Sequence, residues 1–458
     1  MIENDAFKLL LINLFHLNPD DIANILCTTF NKMMVLLVTL ADKHQACPYC
    51  GFTAPKIKEY VTKEITHSAL TTQKCIIKYR ARRYKCPCCG KTYYEFNPFV
   101  FKSQKISILT VHNILKDLKD FNETFTSVAR RYHVSPTSVS TIFDNHVDIG
   151  RNPLPEIINF DEVYAFKSEK SKYVCVLLDF KKQIPVDVLP NRKKEYLLNY
   201  FQKIPLEERK KVKYACSDMY EVYRDVVHKV FPCSCMLLDY FHLSQDFHRK
   251  MNEVRIKVMK GYKDNKASDE YYLLKKFNWL LFKNPEDEDK YGRLFDVERE
   301  RKYNSHFKSY MNYYDLRKKL LEINNDLTIC YSLKLELVDF YSKSTIDNAK
   351  VNLENLIRSC IDTNIEEMIK FSNNLINWKQ EIINSFTIVG TEYKVEADKG
   401  QVVVCNKKVN NAIIENRNKI IKCIKNNANG YTNWSRFRNR VMYVLDPNTT
   451  FSLEPREK

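Results

Sequence analysis

The sequence predicts a mixed α/β protein with a metal-binding front end, and three observations predict it. Residues 156–240 hold three consecutive strand-like runs followed by alternating helical and strand-like stretches, residues 47–89 hold two CxxC knuckles, and residues 243–385 read as almost unbroken helix. At 458 residues the chain exceeds what one hydrophobic core supports, so roughly two to four domains are expected. With 44% hydrophobic and 28% charged residues, wholesale disorder is excluded. The net charge of +17 points to an anionic partner, nucleic acid first and an acidic membrane surface second. The start, MIENDAFKLL, lacks a signal peptide's basic head and apolar stretch, and the most apolar run, Met33 to Leu40, is too short to span a bilayer. A cytoplasmic location follows as the expectation, and in that reducing compartment the 15 cysteines read as metal ligands and scattered core residues rather than as disulfides.

Taken in order, residues 1–45 are expected to form a helical segment. Residues 46–98 form the finger. Cys47-Pro-Tyr-Cys50-Gly and Cys86-Pro-Cys88-Cys89-Gly each place two thiols on one side of a tight bend, with glycine relieving the turn. Cys47, Cys50, Cys86 and Cys89 are therefore the expected ligands of one structural zinc, and Cys88 is left out. Four protein ligands leave no open position, so this site is silent on catalysis. Between the knuckles, Lys74 to Lys85 reads as a strand of a zinc ribbon, with Arg80 and Arg82 suited to phosphate contact or simply solvated.

Residues 99–150 predict a helix-turn-helix. A helix is expected over 102–118, where Ile106, Leu109, Val111, Ile114, Leu115 and Leu118 follow helical spacing. In the next segment Ala129 is the small residue of a first helix, Val134 packs the turn, and Ser135 caps a second helix opening on Pro136. That second helix would show Thr137, Ser138 and Thr141 to a DNA groove, with Arg130 and Arg131 near backbone phosphates.

Residues 151–242 carry strands at 157–166, 172–180 and 184–189, a helix near 193–203, a strand at 212–216, a helix from Met219, a strand at 236–238 and a long helix from about Phe241. That is the element order of a ribonuclease H-like fold, although other mixed sheets share it. Asp161 interrupts an apolar strand, where a charge is unfavourable unless it meets a cation or a partner. Asp218 follows the fourth strand. If those strands are neighbours, the two carboxylates converge as a hard-oxygen site for magnesium, and two such ions support phosphoryl transfer. Asp218 alone could equally cap the helix after it.

Residues 243–385 form the expected all-helical insertion, a scaffold with mixed charges in which Trp279 and Trp378 read as core. Residues 386–458 return the chain to the sheet, through a hairpin over 387–405 and a block from Asn416 to Leu445 that has seven Arg and Lys and no acid, suited to lining a DNA channel.

The runs Asn159-Phe-Asp161-Glu162, Ser217-Asp218-Met-Tyr220 and Asp239-Tyr-Phe241-His242, with the block Glu415-Asn-Arg-Asn418-Lys-Ile-Ile421-Lys422, Gly430-Tyr431 and Phe437-Arg438-Asn-Arg440, resemble the DDE transposases of the ISL-three family of bacterial insertion sequences. There are two departures from the family pattern: Asn416 stands for its glycine, and Asn426-Asn427 for a usually basic pair. The resemblance covers essentially the whole chain. It implies a catalytic core cut by the helical insertion, with Asp161, Asp218 and Glu415 as the catalytic carboxylates on two magnesium or manganese ions. Glu162, Asp239, His242 and Asn418 are implied accessories, and Lys422, Arg438 and Arg440 DNA contacts. It further implies binding to element terminal repeats, strand cleavage and strand transfer into target DNA, and a homodimer or higher oligomer working at the nucleoid. The rivals are a DNA-binding regulator or decayed copy without chemistry, and a metal-dependent nuclease that never joins strands.

Overall fold

In the computed structural model, which describes residues 2–456 other than 44, 71, 102–103, 167–170 and 395–401, the first hundred residues are built on one five-stranded sheet, with a main core under the N-terminal helix and a small separate cluster at the cysteine knuckles. Helix α1 (Ile2–Leu14) is followed by β1 (Ile22–Phe30) and β2 (Met33–Leu40), so the expectation of a helical segment over 1–45 is corrected. Asn31 and Lys32 both adopt positive φ, 49° and 61°, the mirror-image turn that joins twisted antiparallel strands, and the Thr- and Val-rich runs on either side suit a half-buried sheet. Strands β3 (Lys56–Thr66), β4 (Cys75–Lys85) and β5 (Thr92–Tyr94) complete it in the order β1-β2-β4-β3, with β5 on β4. Phe15, Leu36, Ile65, Ile77 and Phe99 bury together beneath α1, which makes the N-terminal segment and the finger one unit.

Helices α2 (Ile108–Asp117), α3 (Phe125–Arg131) and α4 (Pro136–His146) follow. The helix expected over 102–118 starts only at Ile108, because Ser107 is its cap; residues 102–103 lie outside the described residues. Thr124 and Ser127 form a reciprocal capping box at α3, and the Ser135 side chain accepts from the Ser138 N–H with Pro136 in the first turn of α4.

A second five-stranded sheet holds β6 (Ile157–Val163), β7 (Val174–Asp179), β8 (Pro185–Leu189), β9 (Tyr214–Ser217) and β10 (Cys235–Leu238), in the order β10-β9-β6-β7-β8. β6, β7 and β8 are mutually antiparallel, whereas β9 and β10 run parallel to β6. The parallel strands need crossovers, supplied by α5 (Lys194–Gln202) with the short α6 (Leu206–Arg209), and by α7 (Glu221–Val230). Both faces are covered, which is why these strands read as continuous apolar runs.

From β10 the chain enters α8 (Tyr240–Lys260) and then the insertion, which is not all-helical. After α9 (Asp269–Lys276), the hairpins β11 (Glu288–Asp289) with β12 (Gly292–Arg293) and β13 (Lys302–Asn304) with β14 (Ser309–Met311) interrupt it. Too many charges and too few apolar positions fall there for a helix face to bury. Helices α10 (Tyr313–Glu322), α11 (Asn325–Lys343), α12 (Ala349–Asp362), α13 (Glu366–Asn377) and α14 (Lys379–Asn384) pack with α8 around one core that includes Phe247, Leu337, Phe371 and Trp378. The hairpin β15 (Ile388–Lys394) and β16 (Val402–Lys408) leads to α15 (Ala412–Asn427) and α16 (Trp434–Leu445).

These last two helices share one core with the helix-turn-helix and with one face of the second sheet: Val111, Val139, Phe143, Val176, Ile421, Phe437 and Val441 are all buried in it. At its centre Arg440 is 1% exposed, and its Nη2 donates to the carbonyls of Asp120 and Glu123, both at 2.8 Å. The Tyr443 hydroxyl donates to the Leu115 carbonyl at 3.0 Å. Burial lowers the Arg440 pKa, so its charge is costly, and these carbonyl acceptors together with Tyr431 offset part of that cost. Arg440→Ala, which strips both carbonyls of their donor and leaves a void, is expected to cost roughly 3 kcal/mol. Arg440→Met, which fills the void and removes the buried charge, should cost less. Denaturant melts of the two variants check the order, and equal losses would show that the lost hydrogen bonds alone set the effect.

Candidate active site and metal centre

The sheet builds the acidic site. β6 lies beside β9 in a register that pairs Asn159 with Cys216, so Asp161 and Asp218, each two residues further on, reach the same end of two neighbouring parallel strands. Asp239 follows β10, the next strand out, and begins α8, whose first turn presents His242. Glu415 lies in the first turn of α15, which packs on β6. A polar clamp sets that packing: Asn159 Nδ2 donates to Asn411 Oδ1 at 2.6 Å and to the Asn410 carbonyl at 2.8 Å, and Asn411 Nδ2 donates to the Phe160 carbonyl at 3.2 Å. Two turns beyond Asn411, Asn418 Nδ2 donates to Asp161 Oδ2 at 2.7 Å.

Among the described residues, potential ligand atoms of Asp239, His242 and Glu415 all lie within 4.8 Å of one another, and Asp161 and Asp218 stand outside that grouping. Asp239 and His242, expected only as accessories, are thus the closest companions of Glu415. His242 Nε2 is 3.8 Å from Asp239 Oδ2 and makes no hydrogen bond, and Asp218 Oδ1 is likewise buried without a partner. Glu162 is held differently. Facing away from Asp161 along the strand, it pairs with Arg192 and accepts from the Tyr223 hydroxyl at 3.4 Å.

The carboxyls are crowded. Burial pushes Asp161 up to about 7, against the Glu162 backbone N–H that donates to it at 2.8 Å, and the Asp218 charge adds to the rise. Burial and then the Glu162 charge push Asp218 up to about 6, and burial also raises Asp239. Buried acids that repel one another, beside polar atoms lacking partners, form a site short of positive charge, and the chemistry of its oxygen and imidazole donors fits divalent cations.

The second candidate metal site is the four-cysteine cluster of the finger. The knuckles are built alike: Gly51 N–H donates to the Cys47 carbonyl at 2.8 Å and Gly90 N–H to the Cys86 carbonyl at 2.9 Å, with both glycines at positive φ. Cys47 Sγ lies 3.7 Å from Cys89 Sγ and Cys50 Sγ 3.5 Å from Cys86 Sγ, and all four sulfurs gather within 4.8 Å. Four thiolates at about 2.3 Å from one zinc would stand about 3.8 Å apart, so the residues fit the ion. Cys88 is exposed and outside the cluster.

Of the candidate DNA contacts, Arg130, Thr137, Thr141, Arg80 and Lys422 are exposed and Ser138 is half-buried. Four further arginines, also expected at DNA, are engaged by protein acceptors. Arg82 donates to Glu95 at 2.8 Å and to the Leu40 carbonyl at 3.1 Å, and Arg131 is paired with Asp117 and Glu123. Arg438 donates to Asp187 and to the Ile149 carbonyl, both at 2.7 Å, and Arg440 is the buried anchor described above. Arg438 and Arg440 thus also tie α16 inward, to the buried Asp187 and to carbonyls of the α2–α3 connection, while Lys419 and Lys422 of the same basic block are exposed.

Comparison with known proteins decides the family. The pattern of the ISL3-type DDE family, described as Transposase, matches residues 158–397, more than half of the chain. The chain belongs to this family of DDE transposases. It is also 19% identical over 408 residues, covering 89% of this chain and 90% of the relative, to the transposase for insertion sequence element IS1001 of Bordetella parapertussis. The match takes in β6 to β15, and with them Asp161, Asp218, Asp239 and His242, while Glu415 and Asn418 lie beyond it. The transposase has no helix, among its described residues, long and apolar enough to cross a membrane.

Proposed function

We propose that this insertion-sequence transposase cuts and joins DNA at a site formed by Asp161, Asp218 and Glu415 with Asp239 and His242, in a ribonuclease H-like core. The sheet order β10-β9-β6-β7-β8, three antiparallel strands followed by two parallel ones, supports that fold. The observation that carries the site is the pair of buried, partnerless atoms, Asp218 Oδ1 and His242 Nε2, among carboxylates contributed by three neighbouring strands and α15. Asp161 and Asp218 would hold one cation from one side, and Glu415, Asp239 and His242 the second. Magnesium or manganese bound there supplies nucleophile activation and stabilises the departing oxygen. Asn418 fixes the Asp161 carboxylate and is a positioning residue, as are Asn159 and Asn411, which seat α15 on β6. The finger and helix-turn-helix are the DNA-binding units, with Thr137, Ser138 and Thr141 at the groove and Arg130, Arg80 and Lys422 toward phosphates. Work on paired ends calls for a homodimer or larger assembly on DNA.

Labelled element-end duplex, incubated with the transposase and magnesium or manganese, should be cut at the element boundary and joined to target. Asp218→Ala and Glu415→Ala should each lower both products about a thousandfold or more while end binding persists. Cleavage without joining would leave a nuclease, and full activity in either variant would remove that carboxylate from the site.

A further inference from the structure

Against α3, the first helix of the helix-turn-helix, lies a cleft of about 400 Å³, with α3 as one wall and the turn between α15 and α16 as the other. We propose that this cleft seats the DNA sugar-phosphate backbone between the recognised base pairs and the cut, so that the protein measures that distance. The inference rests on the function proposed above and adds a ligand site to it.

The lining is what a phosphate-ribose segment asks for. Thr126 and Arg130 come from α3, and Asn427, Asn429, Thr432 and Arg436 from the opposite wall; no carboxylate lines the cleft. The nearest acids are engaged. Asp144 on α4 is held by Arg436 at 2.6 Å, and Glu123 is paired with Arg131. Arg130 is exposed, and among the described residues no carboxylate pairs with it. Neutral hydroxyls and amides around one available guanidinium hold a backbone without reading bases. Gly430 lines the cleft at φ +100°, a backbone conformation that favours glycine, so the turn that forms this wall depends on it.

The walls are rigid to each other, since Phe125 of α3, Tyr431 of the turn and Phe437 of α16 stack edge to face or tilted in one aromatic cluster. The turn, in turn, is the far end of the helix that carries Glu415. From Glu415 to Asn427, α15 rises about 18 Å at ~1.5 Å per residue, which is about five base pairs of duplex. Backbone seated in the cleft is therefore held about five base pairs from the phosphate at the active site.

The test uses full-length protein and two variants outside the acidic site, Arg130→Ala and Thr432→Asp, whose folding is checked by thermal melts. Binding to element-end and to random duplex is measured across salt, with hydroxyl-radical footprints on the end duplex. Arg130→Ala should weaken both duplexes alike, by up to about tenfold, and flatten the salt slope by about one. Thr432→Asp should weaken both similarly through repulsion. Both should lose protection centred about five base pairs from the cut. If both variants keep the wild-type slope and footprint while wild type binds ends, the cleft proposal falls alone. A loss confined to element ends also overturns it, since that is base reading. If wild type does not bind ends at all, the functional reading itself falls.

Discussion

Asp161→Asn should yield a protein that is inactive and yet more stable than wild type when no divalent cation is present. The Asp161 carboxyl, about 7 in the folded chain, ionises near 3.8 once exposed. The unfolded state therefore loses this proton first, and the folded state is disfavoured progressively as pH rises from about 4 to about 7. Above that the penalty is roughly 4 kcal/mol, at about 1.4 kcal/mol per unit. Asparagine keeps the shape and removes the charge. Its oxygen can accept from the Glu162 N–H, and its amide can donate to Asn418 Oδ1, an acceptor that is buried and partnerless in the wild type once the Asn418 amide has turned. In chelator at pH 8 the variant should melt several degrees above wild type, and near pH 4 the two should coincide. Added magnesium or manganese should raise wild type and leave the variant nearly unmoved, because the ligand is gone. A variant that melts below wild type at pH 8 would mean that Asp161 is a structural acid satisfied by its two donors.

Removal of the finger's metal is the second large effect. The knuckles have almost no core of their own: Cys47, Tyr84, Cys86 and Tyr93 bury together, with Cys89 against them. So small a cluster cannot offset the ordering of two loops, whereas structural zinc contributes on the order of 10 kcal/mol in isolated fingers. Purified protein should carry one zinc per chain. Cys86→Ser should carry none, become open to proteolysis around residues 46–55 and 86–96, and bind element ends at least tenfold more weakly. Cys88→Ser should keep the full zinc content. The sheet core of α1, β1, β2 and β4 is separate from the knuckles and should survive in both. Full zinc in Cys86→Ser, or its loss in Cys88→Ser, would overturn the ligand assignment.

Local signals were strong where chemistry repeats at short range. The two C-P-x-C-G knuckles, the Ser135-Pro136 start of α4 and the Asp-bearing strand β6 were legible because a turn, a cap and an apolar run each depend on a few adjacent residues. The strands β1 and β2 were not read, since β4, the strand that joins β2 to the rest of the sheet, begins 35 residues beyond Leu40 and a two-stranded ribbon has no signature of burial by itself. The hairpins of the insertion were missed because two- and three-residue strands carry no period.

Residue type and spacing alone therefore pointed to the four clustered cysteines, to the cap that starts α4 and to the succession of strands that carries Asp161 and Asp218. Only tertiary structure decided which charges work and which are anchored. Arg438 and Arg440 look like Lys422 in a basic run, yet buried acceptors 250 to 320 residues away in sequence hold the first two and leave the third in solvent. Only packing, too, brought Asp239 and His242 beside Glu415 across the whole helical insertion. Such pairings depend on the closure of long loops around shared cores, and that information is spread over the chain rather than written in any one window of it.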